Sequence, residues 1–416
     1  MLLSLPAPPV IAEPSGSNPK RFDQVGWHRE RTLLVPIRRG AFLRFRKGRG
    51  RCPLERIHNF NPGPAALPLE VLRQAQRQLI DYRHGGMSIM EMSHRSSDVE
   101  RLFEETGQLL LKLLGLDASY TVLTMGGGAS MQFAMLPLNA KESGKAGGYV
   151  VSGSFSEKAY QEARFVGDAT VLASSKNANW RTLPAVDDLP LDPAMAYVHM
   201  TTNNTIEGSQ FRHFPDTGAV PLIGDMTSDM LSRVIDYRRF AMCYASAQKN
   251  LGPAGVTVAV VRKDLLDVFA KVRQLPSILR YSTYAQHKSM YNTPPVHAVY
   301  MMKLVLEWTE RQGGIAAIEQ ENRRKAELIY GVIDQSDGFY DGLIAKSDRS
   351  MMNMTWRMAD EAMEKRFVLE SEANGFDGLA GHRSVGGIRA SAYNAVPYTA
   401  CKALAEFMLD FRQRNG

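Results

Sequence analysis

The chain has 416 residues, of which 44% are hydrophobic, so it can bury a large core, and two domains are the natural expectation. No run reaches the roughly eighteen apolar residues needed to span a bilayer, and the three cysteines show no CxxC pairing. We therefore expect a soluble protein of a reducing, cytoplasmic compartment, and not a membrane protein, a disulfide framework or a zinc ribbon.

The net charge of +7 is concentrated at the N-terminus. Of the 50 basic and 43 acidic residues, twelve basic and four acidic ones lie in residues 1–56, which leaves 38 and 39 for residues 57–416. Such a segment could be a basic arm that binds nucleic acid or an acidic surface, or a targeting peptide. We favour a misplaced start at Leu54, because Leu codons can serve as bacterial starts. In each case residues 1–56 are expected to be poorly ordered and dispensable for chemistry.

Short apolar runs alternate with helical patterns from about residue 69 to 310. This alternation predicts an α/β domain whose mostly parallel sheet is covered by helices on both faces. The predicted strands are residues 121–125, 149–152, 196–201, 220–225, 242–245 and 256–262, with amphipathic helices at 104–116 and 156–167. We assign residues 69–317 to this large domain. Residues 57–68 and 318–416 are assigned to a smaller α+β domain, with helices at 322–333 and 398–414.

The first polar strand end is the stretch TVLTMGGGASMQFAM, which predicts a strand, a glycine turn and a helix start. Converging N–H groups and the helix N-terminus form an anion site in such a turn. The stretch matches neither the Walker pattern nor GxGxxG, and the turn is equally compatible with a structural role.

Two further strand ends carry charged residues, where α/β folds bind their ligands. Asp225 could cap a helix, or it could be a carboxylate held in a dry site to pair with a cation. Lys249 could extend its ammonium to the surface, or burial could lower its pKa, as a Schiff-base amine requires. An anion cradle, a buried acid and a buried lysine are the three groups that pyridoxal phosphate needs, and together they predict that cofactor.

Eight stretches in a fixed order carry a resemblance that spans residues 57–416. They are FNPGPAALP, GMSIMEMSHR, GGGASMQF, NNTIEG, GDMTSDMLSRVID, YASAQKNLGPAG, SMYNTPP and GHRSVGGIRASAYNA. In these stretches the chain resembles the phosphoserine aminotransferases, which are class V members of the fold-type I pyridoxal-phosphate enzymes. The resemblance implies that fold and a pyridoxal 5'-phosphate cofactor.

The resemblance implies roles for residues around the cofactor ring. Lys249 would form the Schiff base, Asp225 would pair with the pyridine nitrogen, and Thr205 would donate a hydrogen bond to the phenolic oxygen. Phe155 would stack on the ring where the family usually has a tryptophan. Since phenylalanine offers less area, we expect lower cofactor affinity with activity retained.

The resemblance also implies how the cofactor phosphate is bound. Ala129 and Ser130 would donate backbone N–H groups, and Gln248 would add its side chain. Asn292 and Thr293 would reach the cofactor phosphate of a neighbouring subunit, which makes a homodimer part of the active site. Without the resemblance, the stretch YNTPP would be interpreted as an Asn-capped turn.

The implied reaction transfers the amino group between L-glutamate and 3-phosphohydroxypyruvate, giving O-phospho-L-serine and 2-oxoglutarate in serine biosynthesis. Arg389 would clamp the α-carboxylate. His94, Arg95, His382 and Arg383 would bind the distal carboxylate or phosphate, although either His-Arg pair alone could be a surface ion pair. The family's second activity, on 4-phosphohydroxythreonine in vitamin B6 synthesis, stays open. No histidine shows metal-ligand spacing.

Other functions compete with this interpretation. Another class V enzyme, such as an alanine–glyoxylate transaminase, would not need the two His-Arg pairs. A cysteine desulfurase needs a cysteine on a mobile loop, whereas Cys243 lies in an apolar run and Cys401 in the last predicted helix. A nucleic-acid-binding protein would act through residues 1–56 and would lose its function without them.

Overall fold

The computed structural model describes residues 56–140, 145–272 and 274–416. The expectations for the basic N-terminal segment concern residues 1–56, of which all but Arg56 lie outside the described part of the chain. No helix in these described ranges combines the length and apolarity that crossing a bilayer requires.

The described residues contain ten α-helices in chain order. They are α1 Leu69–Gln78, α2 Ser97–Leu114, α3 Gly128–Ala140, α4 Ser154–Val166, α5 Lys263–Phe269, α6 Tyr281–Gln286, α7 Val296–Arg311, α8 Gly314–Asp334, α9 Glu361–Ala373 and α10 Tyr398–Asn415. The ends of α2 show why this sequence starts and stops a helix. The Ser96 hydroxyl accepts a hydrogen bond from Val99 N (3.4 Å), and Gly115 ends the helix with φ 67°, where glycine avoids the strain of a side chain.

The strands comprise one large sheet and several smaller ones. They are β1 His58–Asn59, β2 Tyr120–Met125, β3 Gly147–Val151, β4 Ala169–Ser174, β5 Tyr197–Thr201, β6 Asn203–Asn204, β7 Ser209–Gln210, β8 Leu222–Asp225, β9 Met242–Ser246, β10 Thr257–Arg262, β11 Asp341–Gly342, β12 Asn353–Arg357, β13 Phe376–Asp377 and β14 Ile388–Ser391. All six predicted strands are present. Strand β4, an edge strand of the large sheet, was not predicted: its sequence, ATVLAS, is short, and only Leu172 in it is buried.

The large sheet has the order β2-β10-β9-β8-β5-β3-β4. Strand β10 is antiparallel to both of its neighbours, β2 and β9, and the other six strands run in one direction, so the predicted mostly parallel sheet is confirmed. Strands β3, β5, β8 and β9 are buried along their whole length, as expected for parallel strands covered on both faces. Because parallel strands end at one edge of the sheet, the residues that follow β2, β5, β8 and β9 are brought together.

A second core surrounds the three-stranded sheet β11-β12-β14. Its largest buried side chain, Trp356, packs edge-on against Phe367, and α8 and α10 cover the sheet. Phe60 and Ala66 from the start of the described chain join this core. The first turn of α8 packs against the core of the large sheet through Ile315, and its later turns pack here. The predicted boundary at residues 317/318 falls inside α8, and the division into two domains stays a prediction.

Candidate active site

A cavity of about 310 Å³ lies at the carboxyl edge of the large sheet. Nine of the predicted site residues line it: Ala129, Ser130, Phe155, Thr205, Asp225, Gln248, Lys249, His382 and Arg389. The chain therefore brings together residues that are up to 260 positions apart in sequence.

Lys249 follows β9, and its side chain is only 8% exposed. Its Nζ donates a hydrogen bond to Thr205 Oγ1 (2.6 Å) and lies 5.7 Å from the centre of the Phe155 ring. Burial lowers the pKa of Lys249 to about 8; Asp225 opposes that shift and Arg389 adds to it. An amine with such a pKa is available as a nucleophile near neutral pH.

Asp225 is the last residue of β8 and is 4% exposed. Thr227 N donates to Asp225 Oδ1 (3.0 Å), so the side chain closes a turn, and no helix begins after it. The helix-cap interpretation is therefore wrong. Burial raises the pKa of Asp225, while the hydrogen bonds from Thr227 and the charge of Lys249 act in the opposite direction. The carboxylate lines the cavity, where a cationic partner would stabilise its charge.

The glycine turn after β2 leads into α3, as the sequence predicted. Gly127 and Gly128 have φ values of 89° and 66°, and a Cβ on Gly127 would lie 2.2 Å from Met131 Sδ, so this turn requires glycine. The N–H groups in the first turn of a helix have no partner within the helix. Those of Ala129 and Ser130, which line the cavity, are therefore available to bind an anion at the favourable end of the helix dipole. The Gln248 side chain also lines the cavity and accepts a hydrogen bond from the Ser246 hydroxyl, which would lie 3.7 Å from a Cβ on Gly128.

Arg389 lies on β14, so the second core also contributes to the cavity. Its Nη1 donates to Thr205 O (3.1 Å), while its buried Nε has no hydrogen-bond partner among the described residues. Burial lowers the pKa of Arg389, and burial and the charges of Arg389 and Arg383 lower that of His382. A guanidinium with an unused donor is suited to a carboxylate ligand.

Five predicted site residues do not line this cavity. His94 is half-buried, and Arg95, Asn292, Thr293 and Arg383 are exposed. Their roles stay predictions. In particular, the structure of a single chain does not bring the His94-Arg95 pair to the cavity.

The cavity is also lined by residues outside the predicted site, among them Gly63, Thr201, Asn203 and Ser228. Gly63 has φ 128°, and a Cβ there would lie 3.3 Å from Lys249 Cγ, so glycine allows the chain to pass close to the lysine. The stretch FNPGPAALP drew attention to this position but indicated no role for it. Asn203 and Ser228 lie within motifs already quoted, and Thr201 is the last residue of the predicted strand 196–201.

The donor set fits an aromatic aldehyde that carries a phosphate. A buried amine, an acid, a ring-sized aromatic side chain and a helix N-terminus line one cavity. No group of three or more His, Cys, Asp or Glu side chains suited to a metal ion occurs in the part of the chain that the structure describes.

Comparison with known proteins identifies the family of this chain. The class V aminotransferase model matches residues 57–401. The phosphoserine aminotransferase of Niallia circulans is 54% identical over 362 residues, which covers 87% of this chain and 99% of the relative. A solved phosphoserine aminotransferase from Bacillus circulans subsp. alkalophilus matches with a TM-score of 0.85 at 54% identity, over 87% of this chain and all of the other. The PLP-bound phosphoserine aminotransferase of Trichomonas vaginalis matches with a TM-score of 0.81 at 36% identity, over 85% of this chain and all of the other. The predicted fold type is confirmed.

Proposed function

The chain belongs to the class V aminotransferase family, and we propose that it is a pyridoxal-phosphate-dependent phosphoserine aminotransferase. It transfers the amino group of L-glutamate to 3-phosphohydroxypyruvate, giving O-phospho-L-serine and 2-oxoglutarate in serine biosynthesis. One observation carries the proposal: Lys249, Asp225 and Arg389 line a single cavity in a chain about half identical to such enzymes over almost their whole length.

Five residues of the cavity would hold the cofactor. When bound, pyridoxal phosphate supplies an aldehyde and an electron-accepting ring, which stabilise the electron pair left when an amino acid loses its α-proton. Lys249 would bind the aldehyde carbon through Nζ, and Asp225 would keep a proton on the pyridine nitrogen. Phe155 would pack on the ring, and the N–H groups of Ala129 and Ser130 would bind the phosphate.

Lys249 would have a second role when its amine is free. Nζ would accept the proton from the substrate α-carbon as general base and would later donate a proton as general acid. Its pKa of about 8 lies close to neutral pH, where both steps are efficient. Thr205 Oγ1, 2.6 Å from Nζ, orients the amine.

The cationic residues would select the substrates. Arg389 binds the α-carboxylate common to glutamate and the oxo acid through its unused Nε. His382 and Arg383 would bind the distal carboxylate or phosphate, together with His94 and Arg95. Because both substrates use the same site in turn, the kinetics should be ping-pong. A candidate further substrate is 4-phosphohydroxythreonine, which also carries a phosphate.

We propose a cytoplasmic homodimer. Asn292 and Thr293 are exposed in the single chain, beside the 43% exposed ring of Tyr291, which supports their use by a second copy. The described cysteines, Cys243 and Cys401, are buried and free, which suits a reducing compartment.

The proposal is tested by following the visible absorbance of the purified holoenzyme. Glutamate should bleach the cofactor band, and 3-phosphohydroxypyruvate should restore it, whereas pyruvate and glyoxylate should not. Recovery with glyoxylate or pyruvate alone would instead indicate an alanine–glyoxylate transaminase. Removal of residues 1–56 should leave the glutamate-dependent cycle unchanged. Loss of that cycle in the shortened chain would favour a function that acts through the basic segment.

A further inference from the structure

Glu207 is a buried acid beside the cavity to which no role has yet been given. It lies in the turn between β6 and β7, two residues after Thr205, and is 5% exposed. Thr355 Oγ1 donates to its backbone carbonyl (2.7 Å), which fixes the turn against β12. A buried carboxylate is costly unless its oxygens are bonded or its charge is used.

One carboxylate oxygen of Glu207 joins this turn to α4. Oε1 accepts hydrogen bonds from Ser154 N (2.8 Å) and Ser154 Oγ (2.6 Å). Ser154 is the first residue of α4, so the carboxylate also lies at the positive end of the helix dipole. Phe155 is the next residue after Ser154. Thr205, two residues before Glu207, accepts a hydrogen bond from Lys249 Nζ. The two Ser154 bonds therefore fix the spacing between Phe155 and Lys249.

The second oxygen of Glu207 has no such partner. Oε2 is buried without a hydrogen bond from any described residue, and an ideal Cβ on Gly153 would lie 2.7 Å from it. The negative charge acts on Arg389 and His382, favouring the protonated form of each. No salt bridge joins Glu207 to Arg389 in the described structure, and Arg389 instead donates to Thr205 O. The Glu207 carboxylate therefore offsets the positive charge of Arg389 and leaves its remaining N–H donors free to bind a ligand.

We infer that Glu207 is a positioning residue that fixes the start of α4, and with it Phe155. Its negative charge also lowers the affinity of Arg389 and His382 for anionic ligands. The inference rests on the proposed function, because it assumes that phosphate-bearing anions bind beside Arg389 and His382. Moderate binding of a multiply charged product favours its release, which a cavity with cations alone would slow.

The charge is tested with Glu207→Gln, because the amide oxygen can still accept both Ser154 bonds. Removing one negative charge should raise kcat/KM for 3-phosphohydroxypyruvate by about threefold or more, and that for the less charged glutamate by less. The inhibition constant of inorganic phosphate should fall by a similar factor. Glu157→Gln is the matched control: Glu157 lies in the first turn of the same helix but pairs with Lys176, and its loss should change neither value. An equal change in kcat/KM for both substrates, or a higher inhibition constant of phosphate, would overturn the proposed effect of the Glu207 charge.

The tie to α4 is tested by the rate at which the holoenzyme releases its cofactor. Ser154→Ala removes one of the two bonds and keeps the charge, so release should be about fivefold faster with phosphate inhibition unchanged. Glu207→Ala removes both bonds and should release the cofactor faster still. Release at the unsubstituted rate in both variants would overturn the tie. Because cofactor release is measured without substrate, this result is independent of whether the unsubstituted enzyme uses 3-phosphohydroxypyruvate.

Discussion

Lys325 is a fully buried ammonium in α8, and we expect its titration to change the stability of the protein at alkaline pH. Its Nζ donates to three backbone carbonyls, Ala392 O (3.2 Å), Tyr393 O (2.8 Å) and Val396 O (3.1 Å). The structure shows no salt bridge to an acid from this ammonium among the described residues. Burial lowers the pKa of Lys325 from 10.5 to about 8.

The sign and size of the effect follow from these two pKa values. Between pH 8 and pH 10.5 the unfolded chain keeps a proton that the folded protein has lost, so the free energy of unfolding rises with pH. About 2.5 pH units at about 1.4 kcal/mol each give a rise of about 3 kcal/mol. Below pH 8 both states are protonated, and this residue adds no slope.

Urea unfolding of the holoenzyme at several pH values measures this rise. The Lys325→Met variant should lack the part of the rise that comes from Lys325, whatever its stability at neutral pH, because methionine has no group that titrates between pH 8 and pH 10.5. Lys402→Met, at an exposed position of α10, is the control and should retain it. The reasoning is refuted if Lys325→Met shows the same pH dependence as the unsubstituted protein.

Two further predictions concern the cavity. Gly63→Ala should lower the free energy of unfolding by about 1–3 kcal/mol, because φ is 128° and the added methyl group approaches Lys249 Cγ at 3.3 Å. Chemical denaturation checks this value, and Gly218→Ala, with φ 55° and open space around it, should cost less; an equal loss in both would mean that contact with the lysine is unimportant. Phe155→Trp should slow cofactor release about fivefold, since a larger ring adds about 1 kcal/mol of stacking. Unchanged or faster release in a dialysis assay would show that residue 155 does not pack on the cofactor.

The residues that end buried strands could be selected from the sequence alone. Asp225 and Lys249 are charged groups directly after apolar runs, and parallel strands bring such ends together. The glycine turn before α3 was selected for the same reason. The sequence did not reveal the order of the strands, because that order depends on packing between distant elements.

Other features depend on contacts that no local pattern shows. Gly63 approaches Lys249 across 186 positions, and Glu207 meets Ser154 through a turn whose geometry the motif NNTIEG does not reveal. Lys325 lies in the stretch NRRKAEL, which has the composition of an exposed helix face, yet its side chain is enclosed. His94 and Arg95 illustrate the opposite case, since family resemblance suggested a site that one chain does not assemble.

Reductive trapping of the cofactor tests the assignment of Lys249 most directly. The holoenzyme is treated with borohydride and digested, and the modified peptide is identified by mass spectrometry. We predict a pyridoxyl group on Lys249 and none on Lys325, the other deeply buried lysine with a lowered pKa. A pyridoxyl group on another lysine, with Lys249 unmodified, would contradict the account.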